Sequence, residues 1–172
     1  MKNTIAERVL DFLKGFPPFD SLSYEELFSI SSQIKVVYLE KDDFIFKQNE
    51  VLSDCFYVVK DGAVGIYRDN ILVDECDEGD IFGLRAIIRK DLYLLNAIAI
   101  EESIIYRIPA KLIEEVIINN LQANQFIIAS FATNTRNPYS NDDKGKLFAN
   151  ETILQPNASS FTEVQSASFS KN

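Results

Sequence analysis

Apolar residues recur at helical spacing at the start of the chain. Ile5, Val9, Phe12 and Leu13 follow Asn3 and Thr4, either of which suits a helix cap, and the pattern breaks at Gly15 before Pro17-Pro18. One amphipathic helix is predicted there. Ser23, with Glu26 three residues on, has the form of a capping box ahead of Leu27, Phe28 and Ile30, which predicts a second, short helix. From Val36 to Ile108 the period changes. The runs VVYL, FIF, CFYVV, AVGIY, ILVDEC, LYLLNAIA and SIIYRI are rich in β-branched and aromatic residues and are separated by EKDD, DG, RDN and DEGD. Seven or eight short strands at this spacing predict a small antiparallel sandwich or barrel. Asp61-Gly62 is the strongest hairpin signal in the chain, because a type I′ turn needs positive φ at both central positions. After Pro109 helical spacing returns in Leu112, Ile113, Val116 and Ile117, and again in Phe126, Ile127 and Phe131, which predicts two closing helices. From Thr133 the chain is rich in Asn, Ser and Thr, and KLFANETILQ is its one segment with the composition to pack. The expected division is therefore a domain over 1–132 and a polar linker or tail over 133–172.

Composition narrows the function. The 172 residues suffice for one hydrophobic core, and no apolar run approaches the roughly 18 residues of a membrane span. Glu7 and Asp11 interrupt the apolar positions near the N-terminus, so no export signal is read there and a cytoplasmic location is expected. The NET and NAS acceptor patterns are then chance matches. Cys55 and Cys76 form no CxxC pair and read as buried thiols. The absence of histidine removes the commonest general base, the Ser-His and Cys-His nucleophile pairs and the commonest metal ligand, so no enzyme and no metal site are expected. A net charge of −9, from 26 acidic and 17 basic residues, argues against nucleic acid as a partner.

Residues Phe16 to Phe131, through FYVVKDGAVGIY (Phe56 to Tyr67) and EGDIFG (Glu78 to Gly83), resemble a cyclic-nucleotide-binding domain. The resemblance implies a mainly β fold with flanking α-helices: an eight-stranded antiparallel β-roll or jelly-roll barrel, N-terminal helices and two C-terminal closing helices. GFPPFDSLSYEEL is similar to the start of those bacterial versions that precede a pair of cystathionine-β-synthase domains and a nucleotidyltransferase-like region. That implies a sensor piece whose partners include C-terminal domains of the same polypeptide.

The resemblance also implies a phosphate-binding cassette over Phe82, Gly83, Leu84, Arg85, Ala86, Arg89 and Tyr93. In such domains the amides after the Phe-Gly pair open a short helix towards the cyclic phosphate. Ile81, Phe82, Gly83 and Ala86 fit that frame. The family's ribose-binding acid falls at Leu84, and its phosphate arginine aligns with Tyr93. Losing both charged contacts weakens cyclic-nucleotide binding by roughly a hundredfold or more if nothing compensates. Arg85, Arg89 and Lys90 read first as a solvated face beside a turn, and second as a rearranged anion site. Tyr57, Tyr67, Tyr93 and Tyr106 read as packing residues with hydroxyls at the water edge. Asp77, Glu78 and Asp80 form an acidic turn without ligand spacing. Phe126, Ile127 and Phe131 read as core or as a contact to a second copy of the chain rather than as a cap on a base.

Three function classes compete, a ligand-sensing module, an interaction or dimerisation module and a cupin-type enzyme, and a transcription factor is weighed beside them. A cupin-type enzyme lacks the histidines for its metal, and a catabolite-activator-type transcription factor lacks a basic helix-turn-helix. What remains is a regulatory sensor domain with a degenerate cassette, which holds no cofactor and whose ligand class is a cyclic nucleotide or other phosphorylated compound. The alternative is a ligand-free interaction or dimerisation module that keeps the roll.

Overall fold

The computed structural model describes residues 4–133 and 145–149. Helix α1 (Thr4–Leu13) forms where the helical spacing predicts and buries Val9 and Leu13 of the predicted stripe together with Ala6 and Leu10, whereas Ile5 is exposed and Phe12 half-buried. The alternative cap at Asn3 and the acceptor patterns at Asn150 and Asn157 lie outside the described residues. Helix α2 (Tyr24–Ser31) opens with the predicted capping box. The Glu26 amide donates to Ser23 Oγ at 3.1 Å, and the Ser23 amide donates to Glu26 Oε1 at 2.8 Å.

Eight strands follow: β1 (Lys35–Leu39), β2 (Phe44–Phe46), β3 (Cys55–Asp61), β4 (Val64–Arg68), β5 (Ile71–Cys76), β6 (Ile81–Phe82), β7 (Asn96–Ala99) and β8 (Ser103–Pro109). They form two four-stranded antiparallel sheets, ordered β1-β8-β3-β6 and β2-β7-β4-β5. Helix α3 (Leu84–Arg89) sits between β6 and β7, and helices α4 (Lys111–Glu115) and α5 (Leu121–Thr133) follow β8. The result is the predicted eight-stranded β-roll with flanking helices, arranged as two facing sheets rather than a closed barrel.

Side-chain alternation divides the core between two interfaces. Phe56 and Val58 of β3 and Tyr106 and Ile108 of β8 face the helices, where they pack with Leu13, Phe19, Ile30 and Leu112. Cys55, Tyr57, Val59 and Ile105 face the second sheet and pack with Val64, Ile66 and Ala97. Strand β3 is buried on both faces from Cys55 to Val59, which is why CFYVV shows no polar alternation.

Two local expectations are corrected. Asp61-Gly62 is not a hairpin turn, because β3 pairs with β6 and β8 whereas β4 pairs with β5 and β7. The dipeptide turns the corner from one sheet to the other. Gly62 has φ +91°, and a Cβ there would run into the Ser103 hydroxyl, so the corner requires glycine for its angle and its space. The two-residue hairpin lies instead between Arg68 and Ile71, with Asp69 at φ +55°. LYLLNAIA supplies a strand only from Asn96. Before it, Tyr93 is tied to another loop: its amide donates to Glu50 O at 3.2 Å and its carbonyl accepts from the Asn49 amide at 2.7 Å.

Lys146–Ala149, the described part of the segment expected to pack, lies buried with Gly145 as a strap on the roll. Phe148 enters the helix-side core and Ala149 the inter-sheet core. The Lys146 carbonyl accepts from the Ile81 amide at 2.6 Å. Its ammonium reaches Asp74 Oδ1 at 2.7 Å and Glu75 O at 2.8 Å. Residues 150–155 of that segment lie outside the described residues.

Candidate functional site

The β6–α3–β7 region brings the predicted cassette residues together. Phe82 of β6 pairs with Tyr57 of β3, and the two rings stack at 5.2 Å and 20°. Gly83 follows with φ +81° as the residue before α3, its α-carbon against the Tyr57 ring. A Cβ there would approach Tyr57 Cδ2 to 3.0 Å, so only glycine makes this turn without strain.

The side chains beyond Gly83 do not present charge to a ligand. Leu84 is 3% exposed and packs in the helix-side core with Val58 and Ile81. Ala86 belongs to the inter-sheet core. The Arg85 guanidinium lies over the rings of Phe131 and Phe148, at 5.0 and 5.1 Å from their centres. Arg89 donates to Leu92 O at 3.0 Å and braces the loop towards β7. Both arginines are half-buried, so the solvated-face reading is corrected for them: apolar ring faces and a loop carbonyl hold them against the domain. Lys90 is exposed in the left-handed region, with φ +59° at the end of α3.

Tyr93 lines the same space as Gly83 to Ala86. Its ring is 2% exposed and stacks face to face on Phe46, 3.9 Å between centres at 5°. Its hydroxyl lies 3.0 Å from Ser53 Oγ, which lies 2.9 Å from the Tyr57 hydroxyl, and the Ser53 amide donates to Tyr93 Oη at 3.3 Å. The hydroxyls of Tyr57 and Tyr93 thus close a polar network within the roll instead of lying at the water edge. Burial pushes the Tyr57 phenol up to about 12. The space left between Phe46, Ile66, Gly83, Tyr93, Leu95 and Ala149 is about 30 Å³. That is about the share of one water molecule, whereas ligand pockets run to roughly 300–1,000 Å³.

Sequence reasoning missed Phe46, Ser53 and the place where the strap docks. FIF reads as a strand without revealing which face Phe46 presents, and a lone serine in a loop carries no signal of its partners. The acidic turn has a structural role. Asp80 is fully buried; its Oδ2 accepts from the Asp77 amide at 2.9 Å and its Oδ1 from the Lys146 amide at 2.7 Å. Burial raises its carboxyl to about 7, against the pull of those two amides. Among the described residues no cluster of acids and thiols has the arrangement of a metal site. No helix among them is long and apolar enough to cross a membrane.

Comparison with known proteins places this geometry. Residues 36–120 match the family model of the cyclic nucleotide-binding domain. The regulatory subunit of a cAMP-independent protein kinase A from Trypanosoma brucei superposes with a TM-score of 0.64 at 17% identity, covering 71% of this chain and 45% of that one. The present chain therefore spans less than half the length of that relative. The sensor domain of the transcriptional regulator DNR from Pseudomonas aeruginosa gives a TM-score of 0.65 at 23% identity, over 73% of this chain and 91% of that one. The regulatory domain of Toxoplasma gondii protein kinase A, co-crystallised with cAMP, gives 0.65 at 21% identity, over 76% and 51%. At these identities the likeness is one of fold.

Proposed function

We propose, from the premise that residues 36–120 carry the cyclic nucleotide-binding fold, that this chain is a regulatory sensor domain whose cassette no longer admits a cyclic nucleotide. The observation that carries the reading is Tyr93. The side chain at the aligned phosphate-arginine position stacks on Phe46 and leaves about 30 Å³ where a ligand would lie. Leu84, at the ribose-acid position, is turned into the core. Opening the site would require unstacking Tyr93 and breaking its bonds to Ser53, and the ligand would then meet neither charged partner. The domain acts without chemistry of its own, in the cytoplasm, on whatever follows it in a larger signalling polypeptide. Cystathionine-β-synthase and nucleotidyltransferase-like domains are the partners suggested by GFPPFDSLSYEEL.

Calorimetric titration with cyclic AMP, cyclic GMP, cyclic dinucleotides and adenine nucleotides tests the reading. No heat of binding tighter than the high micromolar range is expected, and a submicromolar dissociation constant for cyclic AMP would overturn it. If a phosphorylated compound does bind, its phosphate lies over the amides after Gly83, and Gly83→Val blocks it.

A second reading, a dimerisation module, is favoured by one observation. On α5, Leu121 and Ile128 are seven residues apart, hence on one face, and are 69% and 60% exposed. A second copy of the chain is the partner such a stripe suits.

A further inference from the structure

We propose that the roll holds a second ligand cavity, separate from the cassette, that takes a small monocarboxylate with a short alkyl or aryl tail. The proposal goes beyond the reading above and does not depend on it. The cavity lies between β1, β2 and β8 and has a volume of about 330 Å³, roughly tenfold that left at the cassette. Val37, Leu39, Ile45 and Ile105 supply apolar walls, and Ser53, Tyr57 and Arg107 converge as its polar groups.

The register explains how a cation comes to line this space. Arg107 lies opposite Tyr57 on β3, and Ile105, two residues earlier on β8, lies opposite Val37 on β1. Alternation therefore sets Val37, Ile105, Arg107 and Tyr57 on the same inner face of the sheet. Arg107 is the cation in that row. Its guanidinium reaches Cys55 Sγ at 3.9 Å, a weak acceptor, and no described carboxylate pairs with it. A half-buried guanidinium with five donors and no anionic partner is incomplete, and a carboxylate matches its fork in two parallel hydrogen bonds. One guanidinium balances one negative charge, and the walls beyond it are hydrocarbon, which selects a monoanion with an apolar tail over a polyphosphate.

Ser53 joins this cavity to the cassette. Its hydroxyl touches Tyr57 Oη, in the cavity wall, and Tyr93 Oη, in the cassette. A carboxylate that recruits the Ser53 and Tyr57 hydroxyls draws on the network that holds Tyr93, so occupation is felt at residues 92–95.

The test uses the full 172-residue chain, with hexanoate and phenylacetate as probes and hexanamide and phenylacetamide as neutral controls, followed by calorimetry and amide NMR shifts. Expected are saturable binding of at least one acid, a preference over its amide of about tenfold, and shifts on β1, β2, β8 and Tyr93. Arg107→Gln, checked for folding by circular dichroism, should bind that acid about tenfold more weakly. Val37→Phe should abolish binding by filling the space. Absence of saturable binding of either acid at millimolar concentration overturns the proposal. So does equal binding of acid and amide, undiminished binding by folded Arg107→Gln, or a shift pattern centred on Gly83–Ala86. The acid-against-amide comparison needs no variant, so a failure of either substitution to fold leaves the proposal open to refutation.

Discussion

At Tyr93 one side chain joins two kinds of contact. Its ring supplies apolar contact to Phe46 and its hydroxyl supplies one end of the Ser53 network, and substitution separates the two. Tyr93→Phe keeps the ring and should cost about 1 kcal/mol, whereas Tyr93→Ala should cost about 3–5 kcal/mol, both read by urea denaturation. Equal losses would show that stacking contributes nothing. Asp80 sets a pH dependence. Its folded carboxyl, raised by burial to about 7 from an ordinary value of 3.8, holds a proton in the folded chain that the unfolded chain has lost. The folded state therefore binds more protons between those values, and the contribution of Asp80 to stability is full below about pH 4 and falls as pH rises through 7. Thermal midpoints measured across that range should decline less steeply in Asp80→Asn than in the native chain. A steeper decline in the variant would reverse the sign.

Among the elements, α2 and the strap make contrasting tests. Ser23 and Glu26 satisfy each other's amides at the start of α2 and line neither the cassette nor the second cavity, so Ser23→Ala should cost about 1 kcal/mol in stability and leave every ligand measurement unchanged. The strap is held by Lys146 and Phe148. Lys146→Ala leaves Asp74 without the ammonium that meets it at 2.7 Å, and should speed chymotryptic cleavage after Phe148 while the roll stays intact. Cleavage at the native rate would mean that Phe148 alone holds the strap. The capping box, α1 and the strand runs were legible because each is written in neighbouring residues. The turn into α3 was legible from Phe82-Gly83. The partners of Tyr93 were not legible, since Phe46 and Ser53 meet it from far along the chain. The corner at Asp61-Gly62 was misread for a related reason: a turn dipeptide reports a backbone angle and not which sheet the next strand joins. KLFANETILQ revealed an apolar segment but not its docking place beside Asp80.

At the scale of the whole molecule, the exposed stripe on α5 bears on assembly. If Leu121 and Ile128 form a contact between copies, sedimentation should show a concentration-dependent dimer that the double variant Leu121→Glu, Ile128→Glu abolishes. A native chain that sediments as a monomer at every concentration removes the dimerisation reading. The order of pairing in the first sheet has a consequence in time rather than in space. Among the described residues strand β1 pairs only with β8, with Lys35 opposite Arg107 and Leu39 opposite Ser103, so the earliest strand waits for the last. During synthesis from the N-terminus, at about 5–20 residues per second, β1 leaves the ribosome several seconds before the edge that completes it exists. High contact order of this kind makes folding slow, in the millisecond-to-second range typical of all-β domains. For those seconds an unpaired strand with Val36 and Tyr38 on its outer face depends on a chaperone's grip, or on low concentration, to escape aggregation.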